Sequence, residues 1–278
     1  MFAALAHRNG LLYVARADRG GRLEVFEPAT WARVRVLGPL VGDEDRLDVG
    51  GLAVAGDGRL FVSDTARCQV RVFHAFGGPS ARIGPEPGRT VPRDRRGIPA
   101  WPKGLVVDDQ ERLWVACGRQ AWVHGLQLFA PDGRLLDSVA SLGERTRTWA
   151  APSGLALHGG LVWVCDTLED RLQVVRCRGL GHVAAHALDR DAGLGRPIAV
   201  AVHEGHRDVL AREPAEGLWR FDREMRPLGR LLVPGGVEGG CDLCALPDGT
   251  TLLCDRHGDR LVAVDRGGGA RELDRADA

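Results

Sequence analysis

Lysine is all but missing from this chain. Of 37 basic residues only Lys103 is a lysine; the rest are arginine. With abundant alanine and glycine, that reads as a GC-rich coding bias more than a functional choice. Aromatic residues make up 5%, and there is one asparagine, Asn9. Acidic residues also number 37, so the formal charge is zero, which argues against a globally basic nucleic-acid binder. No apolar run approaches the ~18 residues of a membrane span, so no membrane association is expected. The opening Met1–Arg8 lacks a charged leader region, a long apolar core and a cleavage-like site, and reads as a first strand rather than a signal peptide. Seven cysteines, mostly inside apolar runs, read as reduced core thiols of a cytoplasmic protein. Cys241-x-x-Cys244 has no second pair, which counts against a structural zinc site. No G-x-S-x-G elbow, phosphate-cradling loop or HExxH is present.

What is present is a repeat. Pro152–Asp166 holds an apolar run, a Gly turn and a second apolar run ending in Asp; a polar loop and an alternating third run, Arg171–Val175, follow. The residue closing the second run recurs as Arg16, Asp64, Cys117, Asp166, Arg212 and Asp255, at offsets of 48, 53, 49, 46 and 43. Six units with a period in the forties indicate a propeller or solenoid. Runs of four to six apolar residues split by Gly, Asp and Pro turns read as antiparallel strands. A fourth run follows in most units. The expectation is therefore an all-β, six-bladed β-propeller with four antiparallel strands per blade, filling residues 1–278 as one domain. The blades fall at about 2–37, 50–84, 102–140, 152–188, 197–232 and 240–274. Each starts with its own first strand, so the ring closes by face packing without a shared blade. In blade 1, Leu23 and Val25 are expected inward, with Arg22 and Glu24 outward; in blade 2, Val70 and Val72 alternate against Gln69 and Arg71. Gly84–Trp101 is proline-dense and holds Arg89, Arg93, Arg95 and Arg96; proline at that density excludes a central strand or helix. An enlarged loop, Gly118–Gly125, carries Trp122 and His124.

The units resemble the NHL repeat. Pro102-Lys103-Gly104 with Asp108, and Pro152-Ser153-Gly154 with Asp166 and Asp170-Arg171-Leu172, match its pattern best; Asp64 and Asp255 match its second-strand aspartate. The resemblance covers essentially the whole chain. It implies that first-strand starts and second-strand ends share one face around an axial channel. The second-strand ends would then ring the axis with Arg16, Asp64, Cys117, Asp166, Arg212 and Asp255, and the first-strand starts would add Gly50, Lys103, Ser153, Ile198 and Cys241. The fold alone does not name a function, since it hosts scaffolds, RNA binders, lyases and lactonases. The histidine site of hydroxyglycine lyase propellers is not reproduced, because Lys103, Ser153 and Ile198 stand there.

The candidate ligand-binding set is Arg16, Asp64, Lys103, Asp166, Arg212 and Asp255. Arginine offers a planar fork for carboxylate or phosphate. The bland alternative is that the aspartates accept backbone hydrogen bonds and the arginines pair with neighbouring carboxylates. His7, His158 and His203 close the first strands of blades 1, 4 and 5, where turn capping is expected. The leading expectation is a monomeric scaffold that binds a partner protein or small anionic ligand on this face, with no cofactor. The alternative is a hydrolase or lyase holding an axial divalent ion such as calcium on Asp64, Asp166 and Asp255. RNA binding through the Gly84–Trp101 arginines is a third reading.

Overall fold

The computed structural model describes residues 1–18, 20–41, 47–85, 97–118, 125–139, 149–179, 181–214 and 216–273. Arg89, Arg93, Arg95, Arg96, Trp122 and His124 lie outside them. The chain forms six sheets of four antiparallel strands, each in sequential order. This is the six-bladed propeller that the repeat predicts. The only helical element among the described residues is a single 3-10 turn, Thr167–Glu169. Among the described residues no helix is long and apolar enough to cross a membrane.

The core is divided among the seams between blades. Among the described residues there are six apolar clusters, and each joins two neighbouring blades. A lone blade would leave both its faces wet; the ring covers them. This corrects one expectation. Glu24 and Gln69, expected outward, are 5% and 3% exposed. In a propeller the second face of a sheet is the next seam, so alternation does not separate core from solvent. Glu24 is surrounded instead by Arg16, Arg22 and Arg33 at 3.6–3.8 Å.

The ring closes without strand exchange, as the phase of the repeat predicts. Phe2, Leu5 and Leu12 of blade 1 pack with Cys244, Leu252 and Leu261 of blade 6. Phe2 N donates to Asp259 Oδ1 at 3.0 Å, and Leu5 N to Asp242 Oδ2 at 2.8 Å.

The first strands line the axis: Phe2–Arg8, Val49–Val54, Pro102–Val107, Pro152–His158, Gly195–Val202 and Gly240–Ala245. Each carries a register shift near its start. In blade 4, Pro152 faces Asp166 and Leu155 faces Val164, so Ser153 and Gly154 share one partner, Cys165. Such a bulge re-aims a side chain and sharpens the twist. Repeated six times, it turns one residue per blade toward the axis.

Candidate functional site

The residues so turned are Ala3, Gly50, Lys103, Ser153, Ile198 and Cys241, and all six line one axial cavity of about 1310 Å³. Ligand cavities usually run to about 300–1,000 Å³, so there is room here for a metabolite-sized molecule. Lys103 is the one cation in this ring. Its stem passes Gly118, whose missing side chain leaves room: a Cβ there would sit 3.2 Å from Lys103 Cγ. Its ammonium makes no hydrogen bond or ion pair with any described residue. Enclosure by the cavity wall lowers the Lys103 pKa; Asp48 pulls it back up, and Arg256 and Arg212 push it further down.

The second-strand ends lie elsewhere. Asp64, Asp166 and Asp255 are buried and do not line the cavity. Each meets arginine within its own blade. Arg67 and Arg71 donate to Asp64 Oδ2 at 3.1 and 3.2 Å. Arg171 and Gln173 donate to Asp166 Oδ2, while Ala150 N and Ala151 N donate to its Oδ1. Arg260 donates to Asp255 Oδ2 at 3.1 Å. Arg16 donates to both oxygens of Asp259 at 3.1–3.2 Å and lies over the Phe2 ring, so it serves the closing seam. Cys117 is buried.

The axial positions are one residue further on. Gly118, Thr167 and Arg256 follow Cys117, Asp166 and Asp255, and all line the cavity. Arg212 fits that column rather than the one the repeat assigns it. Pro197 pairs with Ala211, as Pro152 pairs with Asp166, so Ala211 is the true equivalent of the aspartates. The second strand of blade 5 continues through Arg212 to Glu213. Because side chains alternate along a strand, that shift puts Arg212 on the cavity wall. There it pairs with Glu216 at 3.2 Å. Arg256 reaches past Ala3 of blade 1 to donate to Val49 O of blade 2 at 3.3 Å, and its Nε is buried without a partner.

Asp48, Glu216, Glu238 and Asp242 supply acidic groups to the same wall, and Arg230 and His257 complete its charge. Asp242 stands where the other blades hold Ala4, Gly51, Gly104, Gly154 and Ala199. It lies at the waist of the axis, lining both this cavity and a narrower one of about 230 Å³ at the far end. Burial pushes its carboxyl up to about 7, against the pull of hydrogen bonds from Leu5 N and Leu243 N. Comparing the six columns would have singled out Asp242 in the sequence.

One described group has metal-ligating composition: His203, His206 and Asp208, with donor atoms within 4.8 Å of one another. It lies between blades 5 and 6, away from the cavity lining. The two imidazoles stack with centroids 4.3 Å apart and planes 22° apart, so their lone pairs run nearly parallel instead of converging. Arg220 holds both Asp208 oxygens at 2.7 and 2.8 Å. Those residues do not fit a metal. His203, expected to cap a turn, instead binds Thr251 Oγ1 at 2.8 Å, and Thr251 donates to Asp208.

Burial, then the neighbouring His206, lowers the His203 pKa to about 4. Its unfolded value is near 6.5, so the unfolded chain binds more protons between pH 6.5 and 4. This contribution to stability is complete above pH 6.5 and is lost as pH falls toward 4, up to about 3 kcal/mol. Urea unfolding at pH 7.5 and 4.5 should show a smaller pH difference in His203→Gln than in wild type; identical differences would remove His203 from the acid response.

No protein-family model matches the chain, and no curated protein matches it. Its fold is similar to several solved structures. A streptogramin B lyase superposes with a TM-score of 0.65 at 11% identity, over 100% of this chain and 84% of that one. Selenomethionine-substituted virginiamycin B lyase from Staphylococcus aureus gives 0.66 at 9% identity, over 98% and 83%. Kuenenia stuttgartiensis hydrazine synthase gives 0.59 at 12% identity, over 94% of each chain. At these identities the likeness is one of fold alone, and it agrees with the β-propeller whose six blades are this chain's own six sheets.

Proposed function

We propose that this propeller binds a small anionic ligand in its axial cavity, through Lys103, Arg212 and Arg256. The observation that carries this reading is Lys103, which lines the cavity and whose ammonium is unpaired among the described residues. Arg256 adds a buried, unpartnered Nε. Arg212 is already paired with Glu216 and supplies mainly field. Asp48 and Glu238 share the wall, so the ligand that fits best is an anion that also carries hydroxyl or amino donors. A concave site favours a small molecule over the flat face of a partner protein. Asp64, Asp166 and Asp255 act as ties between the second and third strands, because arginine already occupies each of them. An axial metal held by them would have to break those ties, which weighs against the hydrolase or lyase reading. The Pro-x-Gly starts of blades 3 and 4, each placed at a bulge, support NHL-type repeats.

Calorimetry with citrate, glutamate and inorganic phosphate tests the site. At least one should bind, and Lys103→Met should weaken it about 10–100-fold, as loss of a charge-assisted hydrogen bond implies. Unchanged affinity in a folded Lys103→Met protein would refute the assignment.

A further inference from the structure

We infer that Cys241 and Cys254 form a reactive dithiol that exchanges with a small disulfide admitted by the axial cavity. Their Sγ atoms lie 3.0 Å apart. They sit on adjacent antiparallel strands, where Gly240 pairs with Asp255 and Asp242 with Cys254, so the bulge leaves Cys241 beside Cys254. Opposed residues in such strands have Cα atoms about 4.5–5.5 Å apart, within the range of about 4.4–6.8 Å that a disulfide spans. The two thiols are unequal in access. Cys241 lines the cavity and is the only one of the seven cysteines that is not buried. Cys254 lies behind it, 0% exposed. Cys68 and Cys117 are buried and engaged with Trp101 N and with Gln127. Most cysteines here are the core residues that the sequence suggests; of this pair, Cys241 faces the site and Cys254 backs it.

Access sets the order of events. Burial holds the Cys254 thiol well above its ordinary value. Cys241, which an incoming reagent can reach, attacks first. Its sulfur displaces one thiolate from the external disulfide, and that thiolate takes up the Cys241 proton. Cys254 sulfur then attacks the Cys241 sulfur of the mixed disulfide, and the second thiolate leaves with the Cys254 proton. Two protein thiols are oxidised to one disulfide, and one external disulfide is reduced to two thiols. Lys103, Arg212 and Arg256 on the same wall favour reagents that carry carboxylates. That charge preference rests on the anion-binding reading; the dithiol itself does not.

The reduced protein is treated with oxidised glutathione, neutral 2-hydroxyethyl disulfide or cationic cystamine. Each rate is normalised to the same reagent's rate with free cysteine. Intact mass and peptide mapping after alkylation are the readouts. The expected product lacks two hydrogens, retains no adduct and maps to Cys241–Cys254. Cys254→Ser should stop at a mixed disulfide on Cys241, and Cys241→Ser should not form the link. A native protein that none of the three reagents links, or that links at other cysteines, overturns the dithiol. Oxidised glutathione should outpace cystamine by about tenfold, as electrostatic attraction at a charged cleft implies, and Lys103→Met should shrink the difference, since Arg212 and Arg256 remain. Equal normalised rates in the wild type would overturn the anion-binding reading and leave the dithiol standing.

Discussion

Asp208→Ala should destabilise the fold by about 3–5 kcal/mol, because it leaves a buried arginine without its counter-ion. Arg220 is 5% exposed and donates to both Asp208 oxygens. Its Nη1 continues to Asp265 O and Arg266 O in blade 6, at 3.0 and 2.8 Å. Thr251 Oγ1, also in blade 6, donates to Asp208 Oδ2 at 2.6 Å and holds His203. The network therefore ties blade 5 to blade 6. Without Asp208 the guanidinium keeps only its carbonyl partners, and the Thr251 hydroxyl loses its acceptor. Thermal unfolding should fall by on the order of 10 °C for a domain of this size. Arg220→Met added to Asp208→Ala should recover part of the loss, since the pair acts as a unit. A single-variant cost below about 1 kcal/mol would show that the ion pair only offsets its own desolvation. The network does not line the cavity, so anion affinity in the folded variant should stay at the wild-type level.

The fold was legible because its period is written six times. Each second strand closes on a polar residue or cysteine, and every first strand but that of blade 1 starts near Pro or Gly. The site was harder to read, for reasons of register. The aspartates that make the repeat visible face arginines inside their own blades, as Asp166 faces Arg171. The cavity belongs to the residue after them, Thr167 in blade 4 and Arg256 in blade 6, which the apolar pattern does not mark. Arg212 reached the right wall through the wrong column, since only strand pairing reveals that Ala211 is the aspartate's equivalent. Lys103 stood out as the sole lysine in a Pro-x-Gly start. The His203 network was invisible because Asp208, Arg220 and Thr251 come from three strands of two blades.

The same register explains why Gly51→Ala should be among the most damaging small substitutions in the chain. A Cβ on Gly51 would lie 2.3 Å from Lys103 O and 3.1 Å from Gly104 Cα. Both are backbone atoms of the next blade, and neither can swing aside. Gly104 and Gly154 stand in the same relation to Ser153 O and Ile198 O, each at 2.5 Å. Four successive first strands are thus held at three spacings that only glycine allows. The methyl must push Lys103 outward, strain the seam and lose the Ser63 Oγ bond to Lys103 O, now 3.0 Å. Overpacking of this kind destabilises by about 3 kcal/mol. Gly205→Ala is the control, because nothing lies within 4 Å of its added Cβ. Urea unfolding should separate the two variants clearly, and Gly51→Ala within 1 kcal/mol of wild type would show that the strands can part. Anion affinity should also fall in Gly51→Ala, although the substituted residue carries no charge. The glycine that lets two strands touch also fixes where the lysine stands, so seam spacing and ligand affinity should move together.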